Sequence, residues 1–163
     1  GYSYRGVPLR LDWIAPKSKN YTFIGAIDES GVLCYKILEG ATTGIDFFIF
    51  LLEMVNGLNL KDEKFVIIMD NLRAHRFSKI YPKVRKVMNI LFLAPYSPLL
   101  NAIEYFFSYM KRILRRNVYS EIEEIMAEIS LIVKFLDPGK TKGMVRHCLH
   151  LARDIIENRS LVY

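Results

Sequence analysis

Only two cysteines, Cys34 and Cys148, occur in the 163 residues of this chain. That is too few for a disulfide framework and fits a reducing interior. His147-Cys148-Leu149-His150 is the one Cys/His cluster. Its spacing is not that of a zinc site and no second ligand pair accompanies it, so an ordinary helix carrying these residues is expected. No apolar run reaches the roughly 18 residues that a membrane span needs. The richest, Phe47 to Leu52, is closed off by Asp46 and Glu53. No membrane partner is therefore expected, and no signal-peptide pattern is visible. The sequence has no glycine-rich phosphate loop, no Ser/His/Asp arrangement and no internal repeat, which removes several common chemistries. It opens on Gly1 rather than Met and is read as a fragment.

What is present suits one compact domain with a sizeable core: 52% of residues are hydrophobic and 25% charged. The charge is uneven. Gly1 to Asp70 carries 7 basic and 9 acidic residues, and Asn71 to Tyr163 carries 16 and 8, so the formal charge is −2 in the first stretch and +8 in the second. A basic second half suits a polyanion such as nucleic acid, and equally a merely solvated surface.

Tyr21 to Ile27 and Val32 to Leu38 read as strands, rich in β-branched and aromatic residues. Asp28-Glu29-Ser30-Gly31 between them makes a hairpin turn. Thr43 to Val55 reads as a helix with Phe47, Phe48, Leu51, Leu52 and Val55 on its apolar face. Phe65 to Met69 and Asn89 to Leu93 read as short strands buried on both faces. His75 to Val87 reads as a basic helix between them, kinked near Pro82. Pro95-Tyr96-Ser97-Pro98 is a stiff, non-helical loop. Asn101 then opens a long helix with Ile103, Phe106, Phe107, Met110, Ile113 and Leu114 on one face. Ser120-x-x-Glu123 reads as a capping box for the next helix. That helix buries Ile122, Ile125, Met126, Ile129, Ile132 and Val133 and is broken by Asp137-Pro138-Gly139. A last helix is expected from about Thr141 to Glu157. The order implies an α/β fold, a mixed sheet flanked by helices. Residues 1–118 are read as the core and 119–163 as C-terminal helices packed on or following it.

Two carboxylates stand out. Asp70 follows a buried strand directly, and the carboxyl ends of strands are where α/β sheets build sites. A plain turn or cap role is the alternative. Glu104 follows Asn101 at capping-box spacing, so it also has a purely structural reading. Against that, Glu104, Ser108, Lys111 and Arg115 fall at i, i+4, i+7 and i+11, one stripe that continues the carboxylate with positive charge. With Arg112 and Arg116 beside it, the stripe suits a phosphate backbone. Two such carboxylates at neighbouring sheet and helix ends would make a hard oxygen site suited to Mg²⁺ or Mn²⁺.

Asp70-Asn71-Leu72-Arg73-Ala74-His75 resembles the second-carboxylate motif of the mariner-like DDE transposases, an Asp-Asn followed at short distance by His. Pro95-Tyr96-Ser97-Pro98-Leu99-Leu100-Asn101-Ala102-Ile103-Glu104 resembles their third-carboxylate motif. The 33 residues between Asp70 and Glu104 are close to the family spacing, and Gly1 to Gly6, Gly25 and Glu39-Gly40 also look like family segments. The resemblance covers roughly Gly1 to Asn117. It implies an RNase H-like fold, with catalytic and metal-ligating roles for Asp70 and Glu104 and two Mg²⁺ or Mn²⁺ ions in an intact site. It also implies hydrolysis at transposon ends followed by strand transfer. Lys111, Arg112, Arg115 and Arg116 would bind DNA, with Asn71, His75 and Asn101 in support. Double-stranded DNA is the implied partner, a homo-oligomer on DNA the implied assembly, and chromosomal DNA inside the cell the implied location.

The chain also departs from the family. The first carboxylate lies there on a strand upstream of the segment that opens this chain, so the first strand is read as missing and the fragment as weakly active or inactive. Asp28 imitates that carboxylate but falls in the hairpin turn. Ala94, Leu99 and Ala102 stand where Pro, Asp and Pro are common. The rival readings are a degenerate or domesticated DNA-binding remnant and an unrelated Mg²⁺-dependent phosphatase or nuclease using Asp70.

Overall fold

The computed structural model of the chain describes residues 19–57, 65–72 and 89–157. The expected helix over His75 to Val87 and the segment containing Tyr2, Tyr4 and Trp13 lie outside the described residues.

Strands β1 (Tyr21–Asp28) and β2 (Gly31–Glu39) form the expected antiparallel hairpin, with Phe23 opposite Ile37 and Gly25 opposite Tyr35. Asp28 closes its turn: one carboxylate oxygen accepts from the Ser30 amide at 2.7 Å, the Ser30 hydroxyl at 2.6 Å and the Gly31 amide at 3.2 Å. Asp28 is therefore a turn residue, as its position in the sequence suggests.

Side chains alternate across a strand, so the hairpin has two working faces. One presents Ile24, Ala26, Cys34 and Leu38 to helix α1 (Gly44–Gly57). Thr43 and Asp46 cap this helix reciprocally. The Thr43 amide donates to Asp46 at 2.9 Å, and the Asp46 amide donates to the Thr43 hydroxyl at 3.2 Å. The hydrogen bonds from Thr43 hold the Asp46 carboxyl below its ordinary value. The buried face of α1 is Phe47, Phe50, Leu51, Met54 and Val55, whereas Phe48 is half-buried and Leu52 exposed. The expected stripe was thus rotated. From Phe47 to Val55 every position but Glu53 is apolar, so periodicity alone does not select a face. The Lys36–Glu53 ion pair at 2.9 Å, between β2 and the polar flank, helps fix the orientation.

The other hairpin face carries Phe23, Tyr35 and Ile37 against three helices: α2 (Ala102–Leu114), α3 (Ile122–Lys134) and α4 (Pro138–Ile156). Phe106 on α2, at 0% exposure, is the centre of this second core. The Phe23 ring stacks on Tyr35 at 5.5 Å and meets Phe107 edge-on at 5.8 Å. Gly25 makes the room, because a Cβ there would stand 2.7 Å from Cε1 of Phe23. The apolar face expected for α2 is the one that packs here.

The start of α3 differs from expectation. The Ser120 amide donates to Glu124 at 2.7 Å, so the acid that reaches back is Glu124, and no side chain caps the helix. Asp137-Pro138-Gly139 is less a break than the beginning of α4. Asp137 accepts from the Gly139 amide at 2.9 Å, and Pro138 occupies the first helical turn, where its missing N–H costs nothing.

Strands β3 (Val66–Met69) and β4 (Asn89–Phe92) pair in parallel, Met69 opposite Phe92. Met69 joins the α1 core with Ile67, Ile90 and Phe92 packed against it, so both strand pairs bury residues on the same helix. These strands are not buried on both faces: Val66, Ile68 and Leu91 are 57%, 47% and 53% exposed. An unbroken apolar run does not distinguish one covered face from two. Among the described residues the strands form two separate two-stranded ladders.

Candidate active site

Parallel strands bring their carboxyl ends to the same side, and here a side chain ties those ends together. The β3–β4 ladder runs one step past the strands, the Leu93 amide donating to the Met69 carbonyl at 2.9 Å. The side-chain amide of Asn71 then donates to the Leu93 carbonyl. Asp70 lies between these two anchors. It is half-buried, and its Oδ1 accepts from the Leu72 amide at 3.1 Å, a turn that fixes the carboxylate at the strand end.

From Leu93 the chain passes through the Pro95-Tyr96-Ser97 turn into a short 3-10 turn, Pro98–Leu100, and then α2. The loop is less non-helical than expected, because Pro98 opens that turn. The Leu99 carbonyl accepts from the Tyr105 hydroxyl at 3.1 Å and from the Cys148 thiol on α4 at 3.5 Å. His147 meets the Tyr105 ring edge-on at 5.2 Å. Burial raises the Cys148 thiol above its ordinary value, which keeps it protonated and able to donate. Members of the His-Cys-Leu-His cluster thus brace the loop that leads to Glu104, a role with no signature in their spacing.

Glu104 lies in the first turn of α2. The expected capping box does not form: Asn101 is 7% exposed and makes no side-chain cap, and the bonds here are backbone ones, the Asn101 amide to the Pro98 carbonyl and the Glu104 amide to the Asn101 carbonyl, both at 3.0 Å. Among the described residues no hydrogen bond or ion pair engages the Glu104 carboxylate. Its structural reading therefore loses its main support, while Asn101 becomes a packing residue beneath the helix start.

Lys111, Arg112, Arg115 and Arg116 are all exposed along and just beyond the end of α2, and none has a carboxylate partner among the described residues. The Arg112 guanidinium lies 5.6 Å from the centre of the Tyr109 ring. Lys140 of α4 lies 4.6 Å from the same ring and donates to its hydroxyl at 3.1 Å. Tyr109 thereby adds Lys140 to the basic surface. Sequence reading missed this cation because it lies 31 residues away on another helix. His75 falls outside the described residues.

Two hard oxygen donors suit Mg²⁺ or Mn²⁺ rather than a soft metal. Among the described residues no group of three or more His, Cys, Asp or Glu side chains forms a ready metal cage. Asp70 and Glu104 are each of the donor type that such an ion takes. No helix among the described residues is long and apolar enough to cross a membrane.

Residues 1–126 match the family described as DDE superfamily endonuclease. The crystal structure of the Mos1 mariner transposase catalytic domain superposes with a TM-score of 0.77 at 17% identity, over 86% of this chain and 74% of that one. The same catalytic domain with Raltegravir and Mn gives 0.77 at 16% identity, over 90% and 82%. The Mos1 paired end complex with Mg gives 0.79 at 16%, over all of this chain and 51% of that one. At such identities the likeness establishes a shared RNase H-like fold. The chain spans about half the length of the transposase chains in the Mos1 transpososome and strand transfer complexes. No curated protein matches it.

Proposed function

Because the chain belongs to the DDE superfamily endonucleases, we propose that it is transposase catalytic machinery in which Asp70 and Glu104 hold divalent ions. The reaction is phosphodiester hydrolysis at transposon ends, followed by strand transfer. The observation that carries this reading is the Asn71 bond to Leu93, which ties the Asp70 strand end to the start of the segment leading to Glu104. Mg²⁺ or Mn²⁺, two ions in an intact site, would supply activation of water or a 3′-OH and stabilisation of the leaving oxygen. Asp70 and Glu104 supply negative charge and position. Lys111, Arg112, Arg115, Arg116 and Lys140 supply the complementary surface for duplex DNA, and chromosomal DNA would be the working location. A homo-oligomer on DNA is part of the same proposal, in line with the paired-end assembly named for the Mos1 structures.

Two titrations test the proposal on the 163-residue chain. Mn²⁺ binding, followed by electron paramagnetic resonance, should weaken in Asp70→Asn and in Glu104→Gln. Each loss should be at least about the 10–100-fold typical of losing an outer-shell partner. Duplex binding should fall steeply with salt, and Lys111→Ala with Arg115→Ala should reduce the log–log slope by about 2. Mn²⁺ affinity unchanged by both carboxylate substitutions would sink the metal site. Salt-independent duplex binding would sink the DNA surface.

A further inference from the structure

Tyr96 is the only residue other than glycine, among those described, with a positive φ, at 59°. Position three of a turn with that geometry ordinarily takes glycine or asparagine, because a side chain there crowds the backbone. A bulky aromatic is an unfavourable choice, and packing does not compensate for it. The side chain is fully exposed, at 103% of its reference area, and makes no hydrogen bond or ring contact among the described residues. The fold alone thus gives no reason for tyrosine here. An outlier of this kind points to function.

Its surroundings say what kind. The ring projects from a turn that leaves the carboxyl end of β4, beside the strand end carrying Asp70. The mount is stiff, with Pro95 before it and Pro98 after it, and with the Leu99 carbonyl held by Tyr105 and Cys148. A rigid aromatic with two rotatable side-chain bonds loses little entropy on engaging a flat partner. The helix that follows carries Lys111 and Arg112 in its last turn, with Arg115 and Arg116 just beyond it, all exposed and without a carboxylate partner among the described residues. An exposed aromatic together with a cationic surface is the combination that holds unpaired nucleotides, the charges tracking phosphate and the ring stacking on a base.

We infer that Tyr96 stacks on an unpaired base at a DNA end delivered to the carboxyl ends of β3 and β4. The inference rests on the reading of Asp70 and Glu104 as a DNA-processing site, and it makes the ligand a duplex with a frayed or single-stranded end. Tyr96 is then a positioning residue for that end.

The test compares a blunt duplex with the same duplex bearing a short single-stranded 3′ extension, by fluorescence anisotropy on the 163-residue chain. Wild type should favour the extended DNA, and Tyr96→Phe and Tyr96→Trp should keep the preference. Tyr96→Ala and Tyr96→Gly should lose about tenfold on the extended DNA and little on the blunt duplex. Tyr96→Gly should also unfold at a higher temperature than wild type, because glycine relieves the backbone. A merely structural tyrosine would not give weaker binding together with greater stability. An extension preference that survives in Tyr96→Gly, or is absent from wild type, overturns the inference and leaves the duplex reading standing. Failure of wild type to bind either DNA overturns both.

Discussion

The hairpin and the parallel pair are built to different standards. The hairpin strands run eight and nine residues, are covered on both faces, and pin three helices through Phe23, Tyr35 and Phe106. The parallel strands run four residues each and leave Val66, Ile68 and Leu91 exposed on one face. Yet Asp70 extends from the lightly built pair. Position at that end comes from a few directional bonds, above all Asn71 to Leu93, rather than from bulk packing. The difference separates what holds the molecule folded from what positions Asp70.

The largest expected effect tests the heavy side. Phe106→Ala should destabilise by about 3–5 kcal/mol, since a fully buried aromatic leaves a cavity among side chains that cannot all collapse. Ile68→Ala, at a half-exposed position of the light side, should cost no more than about 1.5 kcal/mol. Urea denaturation of both variants gives the ratio. Equal losses would erase the distinction between the two regions.

Asn71→Ala sharpens it from the other side. Losing one hydrogen bond should cost about 0.5–1.5 kcal/mol of stability. The same change frees the strand end from Leu93, so Mn²⁺ binding should weaken by far more than that small loss of stability suggests. Full Mn²⁺ affinity in a folded Asn71→Ala chain would show that the clamp does not aim Asp70.

How much of this was legible follows the same division. The hairpin, its turn and the apolar face of α2 were readable because alternation and helical periodicity report one-sided burial directly. The face of α1 was not, because Phe48 and Leu52 are as apolar as Phe50 and Met54, and the choice between them is made by the sheet. Phe65 to Met69 looked doubly buried for a related reason: a hydrophobic run says which residues are apolar and nothing about how many layers cover them. Asp70 and Glu104 were legible as candidates by position and motif. Their surroundings were not. The unused capping box at Asn101, the Cys148 bond to Leu99 and the Lys140 contact with Tyr109 are all made across elements far apart in sequence.

The smallest effect probes the face of the hairpin that shares a core with the parallel pair. Burial pushes the Cys34 thiol from its ordinary 9.0 up to about 11, with the nearby Glu53 carboxylate adding to the rise. The folded chain therefore holds this proton more tightly than the unfolded chain. Stability from the neutral thiol is complete below pH 9 and declines as pH climbs toward 11, because unfolding then releases a proton. Cys148 shifts in the same direction by burial, Tyr105 rises from an ordinary 10.0 also by burial, and Lys19 rises from 10.5 through its bond to Glu39. All four lose stability toward alkaline pH, but between pH 9 and 10 the two thiols dominate. The urea midpoint of wild type should fall across that interval, and that of Cys34→Ala should fall less steeply. Cys34 is only half-buried, so solvent screening keeps the difference shallow. Identical slopes would mean that water reaches Cys34 freely, and that the core shared by α1, the hairpin and the parallel pair is open at this edge.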